Sequence, residues 1–361
     1  MPSRPGKRHR RRHERGKSVV KIGIVGLPNV GKSSLFNLLT GTGAAADSYP
    51  FTTIDANRGM APLHDPILES LGRLLDPQKL TPAQIEVVDI AGLIKDAHKG
   101  EGLGNRFLGH IRDVDMIFHI LRGFADEGIP HVFDTIDPAR DREVVLTEMA
   151  LSDLDIAERR LKSKRKQADA GDEVKLLERY CKLLSEGSYG LNGSCNEEEG
   201  AFLKSIGFLM PRPRIDVLNL SDTGESPSDN ETYLLSVSLE EALADFNADE
   251  RRQMRIDAGL DPRGGFGLLE DALSRLNLVR FYTVKGEEVR AWTIKKGATA
   301  VQAAGKIHTD IAEGFIKGEV VNAEDLLAAG SWAEASEAGK LKVEGKDYQI
   351  NNADVLLVKF R

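Results

Sequence analysis

The sequence predicts an α/β protein. A parallel sheet is interrupted by an antiparallel helical arm and followed by a smaller β-rich α+β unit. Three observations carry this reading. Short β-branched apolar runs alternate with helical or Gly-rich stretches, as in a parallel sheet with crossover connections. A G-x-x-x-x-G-K-S loop falls between one such run and the helix after it. From about residue 141 the apolar residues recur every three or four positions, and strand texture returns at 215.

Taken in order, residues 19–25 (VVKIGIV) read as a buried strand, 26–32 as a Gly-rich turn, and SSLFNLLTG as a helix closed by Gly41. Residues 42–60 are rich in small and turn-forming types and read as a surface loop. IEVVDI at 85–90 and DMIFHIL at 115–121 are two further strands, separated by the Gly-rich GLIKDAHKGEGLGN. Leu146, Ala150, Leu154, Ala157 and Leu161 form one helical stripe, and Val174, Leu177, Cys181 and Leu184 a second. The charged KSKRKQADAGD between them reads as a hairpin tip, so the two helices run antiparallel. IDVLNL at 215–220 and LLSVS at 234–238 are the last strands of the first sheet. From about 278, VRAWTI, Gly/Ala-rich turns and the terminal VLLVKF make the second unit.

The 361 residues suffice for two or three domains with a substantial core. No apolar run approaches the roughly 20 residues of a membrane span. No signal-peptide pattern is visible, and Cys181 and Cys195 lack metal spacing, which suits a reduced cytoplasmic protein. Net charge is −7, unevenly spread. Residues 1–17 hold eight basic side chains and one acid, a net of +7, which leaves −14 on the remainder. A basic arm on an acidic body suits a polyanion such as RNA, and equally a solubilising tail.

GLPNVGKS at 26–33 matches the phosphate-binding loop in full. Gly26 and Gly31 admit backbone geometry that a Cβ would block. Successive N–H groups then face the phosphates at the start of a helix. Lys32 reaches the β- and γ-phosphates, and Ser33 offers its hydroxyl to Mg²⁺. Asp89, Ala91 and Gly92 form D-x-x-G at a strand end, with the Asp89 carboxylate in the Mg²⁺ shell and the Gly92 N–H on the γ-phosphate. Thr53 in YPFTTID is the candidate for a second Mg²⁺ hydroxyl, with Thr52 its neighbouring alternative.

Two positions depart from ordinary GTPase chemistry. The residue after D-x-x-G, often a Gln that orders the attacking water, is Leu93. His119 is the candidate replacement and His98 a rival, against the plain reading of His119 as a histidine packed in an apolar strand. DVLNLSD at 216–222 has the shape of the Asn-Lys-x-Asp base reader, with Leu220 in place of the Lys. A carboxylate accepts both the N1–H and N2–H₂ of guanine, so Asp222 retains the guanine-type contact while Leu220 removes the lysine that supports it. SVS at 236–238 supplies the neighbouring base loop, with Ser236 as its candidate contact.

GLPNVGKSS, YPFTTID, VVDIAGLIKDAHKGEGLGNRFL and VRAWTIKKGATAVQAAGKIHTDIAEGFIKGE together resemble the YchF/Obg-like ATPase family, over nearly the whole chain from about 19. The resemblance implies a Ras-like P-loop G domain with an inserted antiparallel helical (coiled-coil) arm and a C-terminal β-grasp-like TGS domain. On this sequence that gives a basic arm at 1–18, the G domain at 19–140 and 211–277, the helical insertion at 141–210 and the TGS domain at 278–361. It implies Mg²⁺-dependent hydrolysis with ATP often preferred over GTP. The expected partners are the ribosome, its large subunit, and RNA, for a monomeric cytoplasmic protein with no membrane contact. Asn29, Val30, Gly31, Lys32, Ser33 and Ser34 map to the nucleotide loop, and Ser33 and Thr53 to Mg²⁺. Leu93 maps to a hydrophobic replacement of Gln, His119 to a histidine held to compensate for it, and Asn219 and Leu220 to the altered base motif. The arm precedes the family's usual start, and Asp222 stands where many members carry Glu.

Overall fold

The computed structural model describes residues 19–41, 58–90, 112–165, 171–187, 195–221 and 232–361. The first half runs β1 (Lys21–Val25), α1 (Lys32–Thr40), β2 (Arg58–Pro62), α2 (Pro66–Leu75), β3 (Lys79–Thr81), β4 (Gln84–Asp89) and β5 (Met116–Arg122). The middle runs α3 (Pro138–Lys164), α4 (Gly171–Ser185), α5 (Glu197–Ser205), β6 (Arg214–Asn219), β7 (Tyr233–Leu235), α6 (Val237–Ala242), α7 (Ala248–Asp257) and α8 (Gly264–Arg275). The last part runs β8 (Leu278–Lys285), β9 (Glu288–Lys295), α9 (Ala300–Ile307), α10 (Thr309–Glu313), β10 (Phe315–Asn322), α11 (Ala323–Ala329), α12 (Trp332–Glu337), β11 (Lys342–Glu344) and β12 (Asp354–Phe360).

The first sheet has the order β2-β4-β1-β5-β6-β7, parallel except for the antiparallel edge strand β2. All seven residues of β5 are buried, as a central parallel strand covered on both faces requires. β1 and β5 lie in register with Val25 opposite His119, and β5 and β6 with Arg122 opposite Asn219. The carboxyl ends of β1, β4, β5 and β6 therefore lie along one edge, where ligands of such sheets sit. β7 stops at Leu235, short of the strand expected to 238, because Ser236 turns the chain into α6.

The helical arm begins three residues before the expected 141. Asp137 caps α3 by accepting from Arg140 N, and Pro138 occupies the first helical position. Leu146, Ala150, Ala157 and Leu161 are buried and Leu154 partly so. Tyr180 meets Asp153 at 2.7 Å and Arg160 meets Glu173 at 2.6 Å, so partners on α4 fall in number as those on α3 rise, and the two helices are antiparallel. Leu177 and Leu184 are buried as expected, but Leu176 and Tyr180 complete that face ahead of Val174 and Cys181.

The second sheet has the order β11-β10-β12-β8-β9-β3, with the parallel pair β12–β8 between the antiparallel pairs β10–β12 and β8–β9. Its last strand, β3, comes from a segment the sequence assigns to the first domain and pairs in parallel with β9. The join is reinforced where the Tyr282 hydroxyl meets both Asp65 carboxylate oxygens at 3.0 Å. Among the described residues, no helix is long and apolar enough to cross a membrane.

Candidate nucleotide site

β1 ends at Val25 and the chain turns through 26–31 into α1. Gly26 is dictated by space, because a Cβ there would stand 2.5 Å from the Ile120 carbonyl oxygen. Gly31 is dictated by both φ, at 98°, and space, because a Cβ would collide with Asn219 Nδ2. Asn29 also takes a left-handed φ of 64°, which Asn tolerates better than most residues. No side chain caps α1, and its first turn holds no acid. Its leading N–H groups are thus left for an anion.

Lys32 is 9% exposed and donates to the Leu27 carbonyl at 2.7 Å. Burial pulls its pKa down to about 8, with the Asp89 carboxylate opposing the fall. The Ser33 hydroxyl donates to Asp89 Oδ2 at 2.7 Å, while Asp89 Oδ1 is buried without a hydrogen-bond partner among the described residues. A hydroxyl beside an unsatisfied carboxylate oxygen is a hard donor set that fits Mg²⁺.

A cavity of about 600 Å³ opens beside this loop and is lined by Asn29, Gly31, Lys32, Ser33 and Ser34 on the phosphate side. Val30 is buried behind it and contributes its carbonyl, which accepts from Asn219 Nδ2 at 3.0 Å. Asn219 Oδ1 in turn accepts from Val237 N at 3.1 Å, so this residue braces the phosphate loop against the β7–α6 loop. Leu220 borders the cavity, yet it is only 4% exposed and clusters with Leu121, Leu218 and Leu260. Ser236 departs from its expected place. It is fully buried, and its hydroxyl caps α6 by accepting from Leu239 N at 3.2 Å. The residues of this segment that line the cavity are Val237, Ser238 and Glu241. Sequence reasoning missed the opposite wall, formed by Phe124, Ala125, Asp126 and Ile129. Its one signal was an Arg closing an otherwise apolar strand, at 122.

His119 is 1% exposed and lies in β5, outside the cavity lining. Its Nδ1 lies 3.1 Å from Asp216 Oδ1, and Asp216 also receives Arg142 at 2.6 Å and Arg214 at 3.0 Å. His119 Nε2 is buried without a partner among the described residues. Burial lowers the imidazole pKa, against the pull of Asp216. The packing matches a histidine held within the sheet. Thr52, Thr53, Gly92, Leu93, His98, Asp222 and the basic arm lie outside the described residues.

Two family models match the chain. Residues 21–150 match the MMR_HSR1 model, described as a 50S ribosome-binding GTPase, and residues 278–361 match YchF-GTPase_C, described as a protein of unknown function. The ribosome-binding ATPase YchF of Escherichia coli O157:H7 is 40% identical over 93% of this chain and 98% of its own length. The Bacillus subtilis protein of the same name is 38% identical, over 94% of this chain and 98% of its own length. Obg-like ATPase 1 of Gallus gallus is 37% identical over 94% and 92%. The solved structure of the Schizosaccharomyces pombe YchF GTPase superposes with a TM-score of 0.81 at 31% identity, covering 94% of this chain and 97% of that one.

Proposed function

The chain belongs to the YchF/Obg-like ATPase family, and from that membership we propose that it is a Mg²⁺-dependent P-loop NTPase that hydrolyses ATP to ADP and phosphate and acts as a nucleotide-timed switch on ribosomes. The observation that carries this is the cavity itself: a buried lysine, an uncapped helix start and a Ser–Asp pair with an unsatisfied oxygen converge on one wall. Lys32 exchanges the Leu27 carbonyl for phosphate oxygens, and the α1 N–H groups hold the rest. Ser33 and Asp89 would hold Mg²⁺ together with Thr53, and the Gly92 N–H would meet the γ-phosphate. When bound, the ion neutralises charge on the phosphate oxygens.

The base is read at Asn219, Leu220 and Asp222. Leu220 offers no ammonium and commits its side chain to an apolar cluster, which removes support for guanine. Asp222 keeps the bidentate guanine contact, so the missing lysine loosens GTP selectivity without creating ATP selectivity. Membership of an ATPase family tips the balance, and ATP binds at least as tightly as GTP. Titration calorimetry checks this, and GTP binding more than about tenfold tighter would overturn it. Asp222 favours the second reading, a GTPase of the same fold. Leu93 in the Gln position favours a third, a nucleotide-bound scaffold with negligible turnover.

Ribosome association comes from the names of the relatives, and the basic arm suits rRNA. The large subunit, a monomeric state, a cytoplasmic site of action and a role in translation or stress complete the reading. The helix pair α3–α4 serves as the arm, and β8–β12 as a TGS domain of β-grasp form. Steady-state phosphate release from ATP and from GTP, with and without ribosomes, tests the whole. The reading expects slow ATP turnover that ribosomes change. Turnover with GTP alone supports the second reading, and none with either nucleotide the third.

His119 is the proposed water-ordering group. Its support is the unpartnered Nε2, with Nδ1 fixed by Asp216 as in His–carboxylate pairs. The alternative is a packing role, since His119 does not line the cavity. His119→Ala is expected to slow ATP hydrolysis by about 10²-fold at unchanged ATP affinity. A loss of thermal stability with turnover intact would assign His119 to packing alone.

A further inference from the structure

Arg122 ends β5 with a side chain only 1% exposed. A buried guanidinium ordinarily meets a carboxylate. Among the described residues Arg122 forms no such pair; backbone carbonyls take its donors instead. Nε donates to Phe124 O at 3.1 Å, and Nη2 to Ile129 O at 2.9 Å and Asp126 O at 3.4 Å. Nη1 reaches Asn29 O and Pro130 O, both at 3.5 Å. The guanidinium carbon also stands 4.4 Å over the Phe124 ring centroid.

Four of these five acceptors belong to the segment 124–130, and the fifth is Asn29 of the phosphate loop. Asn29 repeats the link, since its Nδ2 donates to Pro130 O at 3.1 Å. The segment contains no helix or strand of its own. Its start is pinned by Gly123 N donating to Asn219 O at 2.8 Å, and a Cβ at Gly123 would press into Leu218 and Leu220. One side chain thus organises a wall of the cavity that no regular element supports, and ties it to the loop that holds phosphate.

We propose that Arg122 is the positioning residue for the base end of the nucleotide cavity: it fixes the 124–130 wall, with the Phe124 ring in it, relative to the phosphate loop, so that a purine seats against that wall. This rests on the nucleotide reading above. The fork is what the task requires. Five N–H donors in a rigid plane serve several carbonyls and stack on an aromatic face, which a lysine ammonium does not do.

The test compares a ligand that has a base with one that lacks it. Wild type, Arg122→Lys and Phe124→Leu are titrated with Mg²⁺–ATP and with Mg²⁺–tripolyphosphate, and each is melted without ligand. Both variants are expected to weaken ATP binding about tenfold while leaving tripolyphosphate within about twofold of wild type. In turnover, the loss appears in KM with kcat retained. Arg122→Lys keeps the charge and so folds more readily than a neutral variant; Phe124→Leu probes the same wall without touching the buried cation. If both ligands weaken together, or neither weakens, Arg122 is a general buttress and the inference is wrong. If wild type binds neither ligand, the nucleotide reading fails first and the inference falls with it.

Discussion

Lys32→Ala is expected to reduce ATP turnover by about 10²–10³-fold, the loss typical of deleting one preorganised donor to developing charge. The structure explains why the loss is large and why it does not come from unfolding. Lys32 is buried and satisfied by a single carbonyl, at Leu27, with Asp89 as the nearby counter-charge. An ammonium so placed is under-solvated in the nucleotide-free protein, as its lowered pKa of about 8 records. Phosphate oxygens restore what burial removed, so the lysine gains more from the nucleotide than an exposed one would. Removing it also removes a desolvated charge. The Lys32→Ala protein is therefore expected to match or exceed wild type in nucleotide-free stability while losing ligand affinity, the usual trade at a functional site. Nucleotide titration and urea denaturation on the same preparation check both halves. A variant that loses stability and affinity together would show Lys32 to be a structural residue first.

What the sequence revealed and what it concealed divide along a physical line. The phosphate loop was legible because its motif is contiguous: Gly26, Gly31, Lys32 and Ser33 fall within one turn and one helix start, although Ile120 and Asn219 set the space at the two glycines. Asn219 was legible as the end of a strand, although its role as a brace between Val30 and Val237 is a tertiary fact. Ser236 was misplaced because S-V-S is equally acceptable as strand or as helix start. Its third successor is Leu239, so no Glu or Gln completed a capping box to reveal the helix. β3 lay hidden for a different reason. Three residues carry no periodicity, and their membership of the second sheet is decided by Glu288–Arg290 across the gap. Arg122 belongs to no motif at all. Its significance lies in carbonyls from 124–130, whose positions exist only once the chain is folded.

The helical arm offers a second large effect, at Asp153. This side chain is fully buried on α3 and accepts from the backbone N–H groups of Leu209 and Met210 and from the Tyr180 hydroxyl, all within 2.9 Å. It therefore ties α3 to α4 and to the turn that leads back into β6. Asp153→Ala leaves three buried donors without an acceptor and is expected to cost about 3–5 kcal/mol in unfolding free energy, the range for breaking a buried charged network. The pH dependence has a definite sign. Burial raises the carboxyl pKa from 3.8 to about 6, so between those values the folded state holds the proton more tightly than the unfolded chain. The stability this group contributes is fully present below the lower value and is lost as pH rises through the upper one. Asp153→Asn does not titrate and still accepts on one side. Wild type is therefore expected to gain about 1 kcal/mol relative to Asp153→Asn between pH 7 and pH 5. Urea denaturation at both pH values measures the difference. A gap that stays constant would mean the carboxylate remains ionised throughout, held by the Met210 and Leu209 N–H groups, the Tyr180 hydroxyl and Arg112 strongly enough to offset its burial.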